Sequence, residues 1–167
     1  MPLTALRRVG ASVVAALLLG TGPAFAADFL DPAEAFRATA DAAYARDRGA
    51  VSFRIESGYY LYRDRTSVRA QEGAALAGAL QLPPGQPKFD PNFGSTMDIW
   101  KHELRLELPV PDGQAAGGYE LQVQGCAEQG LCYPPQRLHI RQSRDAQGRV
   151  RLELTAAPVP AGAQPTP

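Results

Sequence analysis

The chain has 167 residues, 45% of them hydrophobic, with 17 basic and 17 acidic side chains and a formal net charge of zero. That length suits one ordinary domain. The balanced charge, with no basic cluster, argues against a nucleic-acid or anionic-lipid surface and leaves proteins or small molecules as partners.

The first residues read as an export signal. Arg7 and Arg8 form a positive start, Val9 to Leu19 is an almost wholly apolar run, and Ala24-Phe25-Ala26 offers a small-x-small cleavage pattern. The apolar run is far short of the roughly 20 residues that a membrane-spanning helix needs. Residues 1–26 are therefore expected to be a cleaved signal peptide, cut after Ala26 or Ala27, which directs the chain out of the cytoplasm. No later segment has the apolar length for stable membrane insertion. Without Arg7 and Arg8, 15 basic residues face 17 acidic ones, a balance of −2.

Beyond the signal, Asp31-Pro32-Ala33-Glu34 has the pattern of a helix start, with Asp31 as N-cap and Glu34 closing a capping box. The Ala-rich stretch to Ala45 could extend that helix, and a single turn leading into a strand fits the composition equally well. Alternation then predicts strands. Val51, Phe53 and Ile55 share one face, as do Leu104, Leu106 and Leu108, then Tyr119, Leu121 and Val123, then Leu138 and Ile140, and finally Val150, Leu152 and Leu154. Turn signals lie between them at Pro83-Pro84-Gly85, Pro111-Asp112-Gly113, Gly117-Gly118 and Asp145 to Gly148. Short alternating strands at this spacing predict an all-β antiparallel sandwich or barrel over residues 28–155. Residues 156–167, AAPVPAGAQPTP, read as an Ala/Pro-rich linker or tail.

The residues with chemistry to offer are few. Cys126 and Cys132 are separated by five residues that include Gly130, so their sulfurs can meet across a hairpin end. In an exported chain such a pair is expected to be oxidised at least part of the time. Three uses stay open: a stabilising disulfide, a redox pair, or two thiolate ligands of a metal. The spacing is not Cys-x-x-Cys, and a staple would usually close a longer loop. His102 and His139 sit in strand-like alternation without zinc-ligand spacing, which leaves no expected metal site. No Ser-His-Asp set, phosphate loop or carboxylate pair stands out. Gly58-Tyr59-Tyr60-Leu61-Tyr62-Arg63 places Tyr60 and Tyr62 on one strand face. Lys88-Phe89-Asp90-Pro91-Asn92-Phe93-Gly94 reads as a Pro/Gly loop with two aromatics.

Taken in order, four features resemble the N-terminal periplasmic domain of the thiol:disulfide interchange protein DsbD. They are the opening from Phe29-Leu30 to Phe36, the tyrosine block from Gly58 to Arg63, the Phe93-Gly94 loop, and Gly125-Cys126 through Cys132-Tyr133-Pro134-Pro135. The resemblance covers about residues 29–142. It implies an immunoglobulin-like antiparallel β-sandwich, with a strand after Phe36 and the cysteine pair at a hairpin end. It further implies a periplasmic thiol–disulfide oxidoreductase that needs no cofactor. Such a domain takes electrons from a membrane-linked, thioredoxin-like donor. It passes them to periplasmic thioredoxin-like proteins such as the disulfide isomerase and the cytochrome c maturation thioredoxin.

On the same resemblance Cys126 and Cys132 would be the redox pair, with Cys132 bonding to partners, and Tyr60, Tyr62 and Asp90 would line the site. A cap loop would shield the disulfide. The family's cap usually reads Asp-Glu-Phe-aromatic-Gly, whereas here it is Asp90-Pro91-Asn92-Phe93-Gly94, so Phe93, with Phe89 as second choice, is expected to do the covering. In the family a transmembrane and a thioredoxin-like domain follow. This sequence stops at a Pro-rich tail and is expected to be a stand-alone relative or a piece ending at the linker. From a different class, a non-catalytic immunoglobulin-like binding module with a structural disulfide remains the alternative.

Overall fold

In the computed structural model, residues 28–41, 45–71 and 74–155 are described. The signal peptide (1–26), the tail (156–167) and the cleavage position lie outside them. A four-residue helix, α1 (Pro32–Ala35), leads into β1 (Phe36–Ala40). The strand after Phe36 is as the resemblance implied. The capping box is not formed. Asp31 makes no side-chain cap, and its carbonyl accepts the N–H groups of Glu34 and Ala35 at 2.8 Å instead. One turn without a cap is marginal alone. It ends where the Phe36 ring is captured edge-on by Tyr59 and Tyr133.

Ten more strands follow: β2 (Arg48–Ile55), β3 (Tyr59–Tyr62), β4 (Ser67–Gln71), β5 (Gln86–Asp90), β6 (Ser95–Trp100), β7 (Glu103–Pro109), β8 (Gly117–Val123), β9 (Gly125–Ala127), β10 (Gln136–Arg144) and β11 (Val150–Thr155). All pairings are antiparallel, in sheets ordered β1-β2-β7, β11-β10-β8-β4 and β5-β6-β3-β9. The first two sheets form the sandwich. Val51, Phe53, Leu104, Leu106 and Leu108 from one pack in a single core with Tyr119, Leu121, Ile140, Val150 and Leu152 from the other. These are the alternating positions that predicted the strands, because only one face of each strand is shielded from water.

Three further sequence expectations change. Residues 88–94 are not a free loop but the core of a β-hairpin, in which Lys88 pairs with Met97 and Asp90 with Ser95 around a turn at residues 91–94. Gly117-Gly118 opens β8 instead of making a turn, because β10 pairs with it to the first residue. His102 is not a strand residue. It turns the chain between β6 and β7 with φ 67°, and its carbonyl accepts the Ile55 N–H.

The third sheet separates two interiors. Tyr59 and Leu61 of β3 face the main core, whereas Tyr60 and Tyr62 point the other way into a second buried cluster with Ile99 and Cys126. Strand β3 is thus buried along both faces.

A single disulfide joins Cys126 to Cys132. A cross-link closing so short a loop contributes only about 2.4 kcal/mol through the unfolded chain, while each fully buried core leucine contributes about 2 kcal/mol. The Cys126→Ala/Cys132→Ala double variant is therefore expected to keep one cooperative thermal transition, lowered by roughly 10 °C. Calorimetry checks it. Loss of the transition would make the disulfide a structural staple.

Candidate thiol–disulfide site

The site is assembled by a change of sheet. Strand β8 pairs with β10 and β4, but one residue later β9 pairs with β3, setting Cys126 opposite Tyr60. The crossing is tight. A side chain on Gly125 would place its Cβ 2.3 Å from the Tyr60 carbonyl oxygen and 2.6 Å from the Phe36 ring, so only glycine fits. The chain then turns at Gly130, with φ 101°, and returns to put Cys132 across from Cys126. Hydrogen bonds from the Ala127 N–H to the Leu131 carbonyl (2.7 Å) and from the Tyr133 N–H to the Gly125 carbonyl (3.0 Å) flank the pair. The two cysteines thus occupy a non-hydrogen-bonded position of an antiparallel ladder, where opposed residues approach most closely. Their Cα atoms are 4.0 Å apart.

The sulfurs differ in access. Cys126 is completely buried, and Cys132 is half-buried. The Tyr62 hydroxyl oxygen lies 3.1 Å from Cys126 Sγ and 3.9 Å from Cys132 Sγ. Tyr62 donates its proton to Asp90 Oδ2, and Tyr60 donates to the same oxygen at 2.8 Å. Asp90 Oδ1 accepts the backbone N–H of Asn92 at 2.9 Å. Asp90 has no exposed surface. Burial pushes its carboxyl pKa up, but the donors from Tyr62, Tyr60 and Asn92 outweigh that and hold it below the usual carboxylate range. Asp90 is accordingly an anion in the folded protein at neutral pH. Burial, together with the Asp90 charge, raises both phenols, Tyr60 to about 12 and Tyr62 further, so both keep their protons.

Cover comes from the β5–β6 hairpin. The Phe93 ring stands edge-on to Tyr62 with centroids 5.4 Å apart, and the Arg65 guanidinium lies 4.9 Å above the Phe93 ring. Phe89, on the opposite strand face from Asp90, is 63% exposed. Lys88 Nζ sits 5.0 Å over the Tyr60 ring. Asn92, which sequence reasoning passed over, donates its side-chain amide to Cys132 Sγ at 3.3 Å. The structure thus brings Cys126, Cys132, Tyr60, Tyr62, Asp90 and Phe93 together and leaves Phe89 aside. Among the described residues no three His, Cys, Asp or Glu side chains are grouped to hold a metal ion.

Against known families, residues 26–143 match the model of the thiol:disulfide interchange protein DsbD, N-terminal. The chain belongs to the DsbD N-terminal domain family. It is 35% identical over 141 residues to the thiol:disulfide interchange protein DsbD of Ralstonia nicotianae, a match covering 84% of this chain and 23% of that protein. It is 42% identical over 111 residues to DsbD 2 of Pseudomonas aeruginosa, covering 65% and 17%. The chain thus spans less than a quarter of the length of these curated relatives. Among solved structures, the reduced DsbD N-terminal domain of Neisseria meningitidis superposes with a TM-score of 0.63 at 30% identity, covering 76% of this chain and 95% of that one. The DsbD N-terminal domain in complex with the PilB N-terminal domain, from the same organism, gives 0.57 at 31% identity, covering 68% and 87%. The sandwich is accordingly the immunoglobulin-like fold of DsbD N-terminal domains, and its two cysteines are joined as a disulfide. No helix among the described residues is long and apolar enough to cross a membrane.

The Asp90 hub has a pH signature. A carboxyl whose folded pKa is depressed adds stability above its unfolded pKa of about 3.9 and loses it as pH falls through the folded value. Asp90→Asn leaves one phenol poorly paired and is expected to cost about 2 kcal/mol at pH 7. The difference from the parent should shrink below about pH 4. Urea denaturation at pH 7 and pH 3 measures it. An equal difference at both would mean that folding does not lower the Asp90 pKa, and a larger one at pH 3 would mean that the folded carboxyl is protonated.

Proposed function

We propose that this domain is a periplasmic thiol–disulfide relay in which Cys126 and Cys132 alternate between disulfide and dithiol. The observation that carries the reading is where the pair sits. The two strands bearing it are already held by backbone hydrogen bonds on either side of the sulfurs. The pair also lies outside the main core, in a separate cluster with Tyr62 and Ile99. A cross-link there adds little to stability, and Cys132 is only half-buried. The export signal in residues 1–26 supports a periplasmic location, where such a pair can be oxidised.

In this reading a thioredoxin-like reductant, linked to the membrane, supplies electrons. Its thiolate attacks Cys132 Sγ, a mixed disulfide forms, and Cys126 leaves as a thiolate. The second partner thiolate then displaces Cys132, leaving the partner oxidised and this domain as a dithiol. Other thioredoxin-like proteins of the periplasm, the disulfide isomerase and cytochrome c maturation proteins among them, are oxidised acceptors of those electrons. The reduced pair attacks them by the same steps in reverse. That a related DsbD domain is found in complex with the N-terminal domain of PilB supports a protein partner.

Cys132 is assigned as the attacked sulfur because it is the accessible one and because Pro134 and Pro135 follow it in an extended path. The Tyr62 hydroxyl oxygen lies 3.1 Å from Cys126 Sγ with its own proton given to Asp90, so it can accept the Cys126 S–H once the pair is reduced. Phe93 is assigned as the shield, since its ring covers Tyr62 and it occupies the hairpin turn beside the sulfurs. No cofactor takes part.

Trapping tests the relay and the two roles together. With a thioredoxin-like partner that lacks its resolving cysteine, Cys126→Ala should accumulate a mixed disulfide through Cys132, and Cys132→Ala should trap little. Trapping by neither would favour the non-catalytic binding module, and the opposite ranking would reverse the roles. For the shield, Phe93→Ala should speed reduction of the disulfide by dithiothreitol about tenfold, since access limits exchange. An unchanged rate would remove Phe93 from the site.

A further inference from the structure

Asn92 is the only residue of the hairpin turn whose side chain is hydrogen-bonded to a sulfur, Nδ2 donating to Cys132 Sγ at 3.3 Å. The direction of this contact is set locally. The backbone N–H of Asn92 is held by Asp90 Oδ1 at 2.9 Å, which brings its side chain beside a buried anion. A carboxylate there favours the amide nitrogen over the amide oxygen, and Asn92 side-chain donation is among the interactions that stabilise the Asp90 charge. The nitrogen therefore faces the site, with an N–H directed at the sulfur. Among the described residues no other donor reaches Cys132 so closely. The Tyr62 hydroxyl is 3.9 Å away, and its proton is given to Asp90.

We infer that Asn92 is a further catalytic residue of the exchange reaction, its side-chain N–H stabilising the thiolate of Cys132. This rests on the reading above that Cys132 is the sulfur that changes partners. Cys132 carries negative charge at two points. When the partner's second thiolate attacks the partner's own sulfur in the mixed disulfide, that bond replaces the one to Cys132. Cys132 then departs with the electron pair, and the domain has gained two electrons that the partner has lost. In the onward direction the same Cys132 thiolate attacks an acceptor disulfide, forming a new S–S bond while the acceptor's other sulfur leaves with the electron pair. A donor hydrogen-bonded to the anion is stronger than one to a neutral sulfur. It makes Cys132 a better leaving group in the first step and raises its thiolate fraction in the second. Asp90 acts through Asn92 and is a positioning residue in this respect.

The test uses the whole reduced protein and a small alkylating reagent, so it does not depend on any partner. The rate of iodoacetamide modification at Cys132, resolved from Cys126 by fragment mass spectrometry, is followed against pH for the parent, Asn92→Leu and Asn92→Ala. Leucine keeps the volume of the cover and removes the donor, whereas alanine removes both. Greater access multiplies the rate equally at every pH, and only a change in thiolate stability moves the midpoint. Both variants are expected to raise the Cys132 midpoint by about one pH unit, a tenfold loss of thiolate below it. Asn92→Asp, which replaces the donor with a charge, should raise it further. A midpoint that stays put in Asn92→Leu and Asn92→Ala, or a Cys132 that does not react in the reduced parent, overturns the assignment. Failure to trap a thioredoxin-like partner with the midpoint still shifted would instead count against the relay alone.

Discussion

An ionised carboxylate with no access to water has to draw its hydrogen bonds from the protein, and Asp90 draws them from three directions. Tyr62 and Tyr60 reach it from β3, and Asn92 reaches it from its own turn. Because the two phenols project from the strand that also borders Cys126, satisfying this one charge locks the β5–β6 hairpin over the disulfide. It also fixes the tyrosine rings at right angles to each other and sets the Tyr62 oxygen beside the sulfur. Removing the donors would leave a buried anion uncompensated, which is far more costly than the bonds are individually favourable. The arrangement of the site follows from that asymmetry.

The sandwich was largely legible in the sequence, because strands with one face against the core and one against water must alternate. Val51 to Ile55, Leu104 to Leu108, Tyr119 to Val123 and Val150 to Leu154 all carry that period and all form strands. Strand β3 did not announce its full burial, since its Tyr-Tyr-Leu-Tyr sequence has polar tips that could have faced water; a second interior behind it is a tertiary fact. Residues 88–94, which include the end of β5, read as a loop because Pro91 and Gly94 break any strand pattern. Pairing with β6 overrides that, and Pro87 is tolerated because β5 is an edge strand. Asp31 looked like a cap and is not one, because a single turn running straight into β1 gives its side chain no orphan N–H that the backbone does not already satisfy.

For the site, the cysteines were evident from their rarity and alternation set Tyr60 and Tyr62 on one strand face, but the site roles of Tyr60, Tyr62, Asp90 and Phe93 came from resemblance. Nothing in the residues around Asp90 says that a carboxylate will be buried between two phenols contributed from about thirty positions earlier. Asn92 was passed over because attention went to the aromatic beside it. The clue available was chemical. An Asp-Pro-Asn turn brings the backbone N–H of its third residue back to the first carboxylate, which aims an amide at whatever the turn covers.

The sheet change at Gln124 and Gly125 separates two mechanical jobs. Cys126 is continuous in sequence with β8, a central strand of the sandwich, while its ladder bonds run to β3. The backbone of the turn at residues 91–94, by contrast, continues only into β5 and β6, and the turn meets the sulfur site through the side chains of Asn92 and Phe93. The sulfurs are therefore held like a jewel in a rigid setting, and the lid above them can be exchanged. Apart from Asn92, residues at the tip of that hairpin can be varied to admit or refuse a visiting surface without altering the backbone bonds that set the distance between the two thiols. Such a division makes this domain a natural chassis for grafting, in which one electron-carrying hairpin is offered under interchangeable covers.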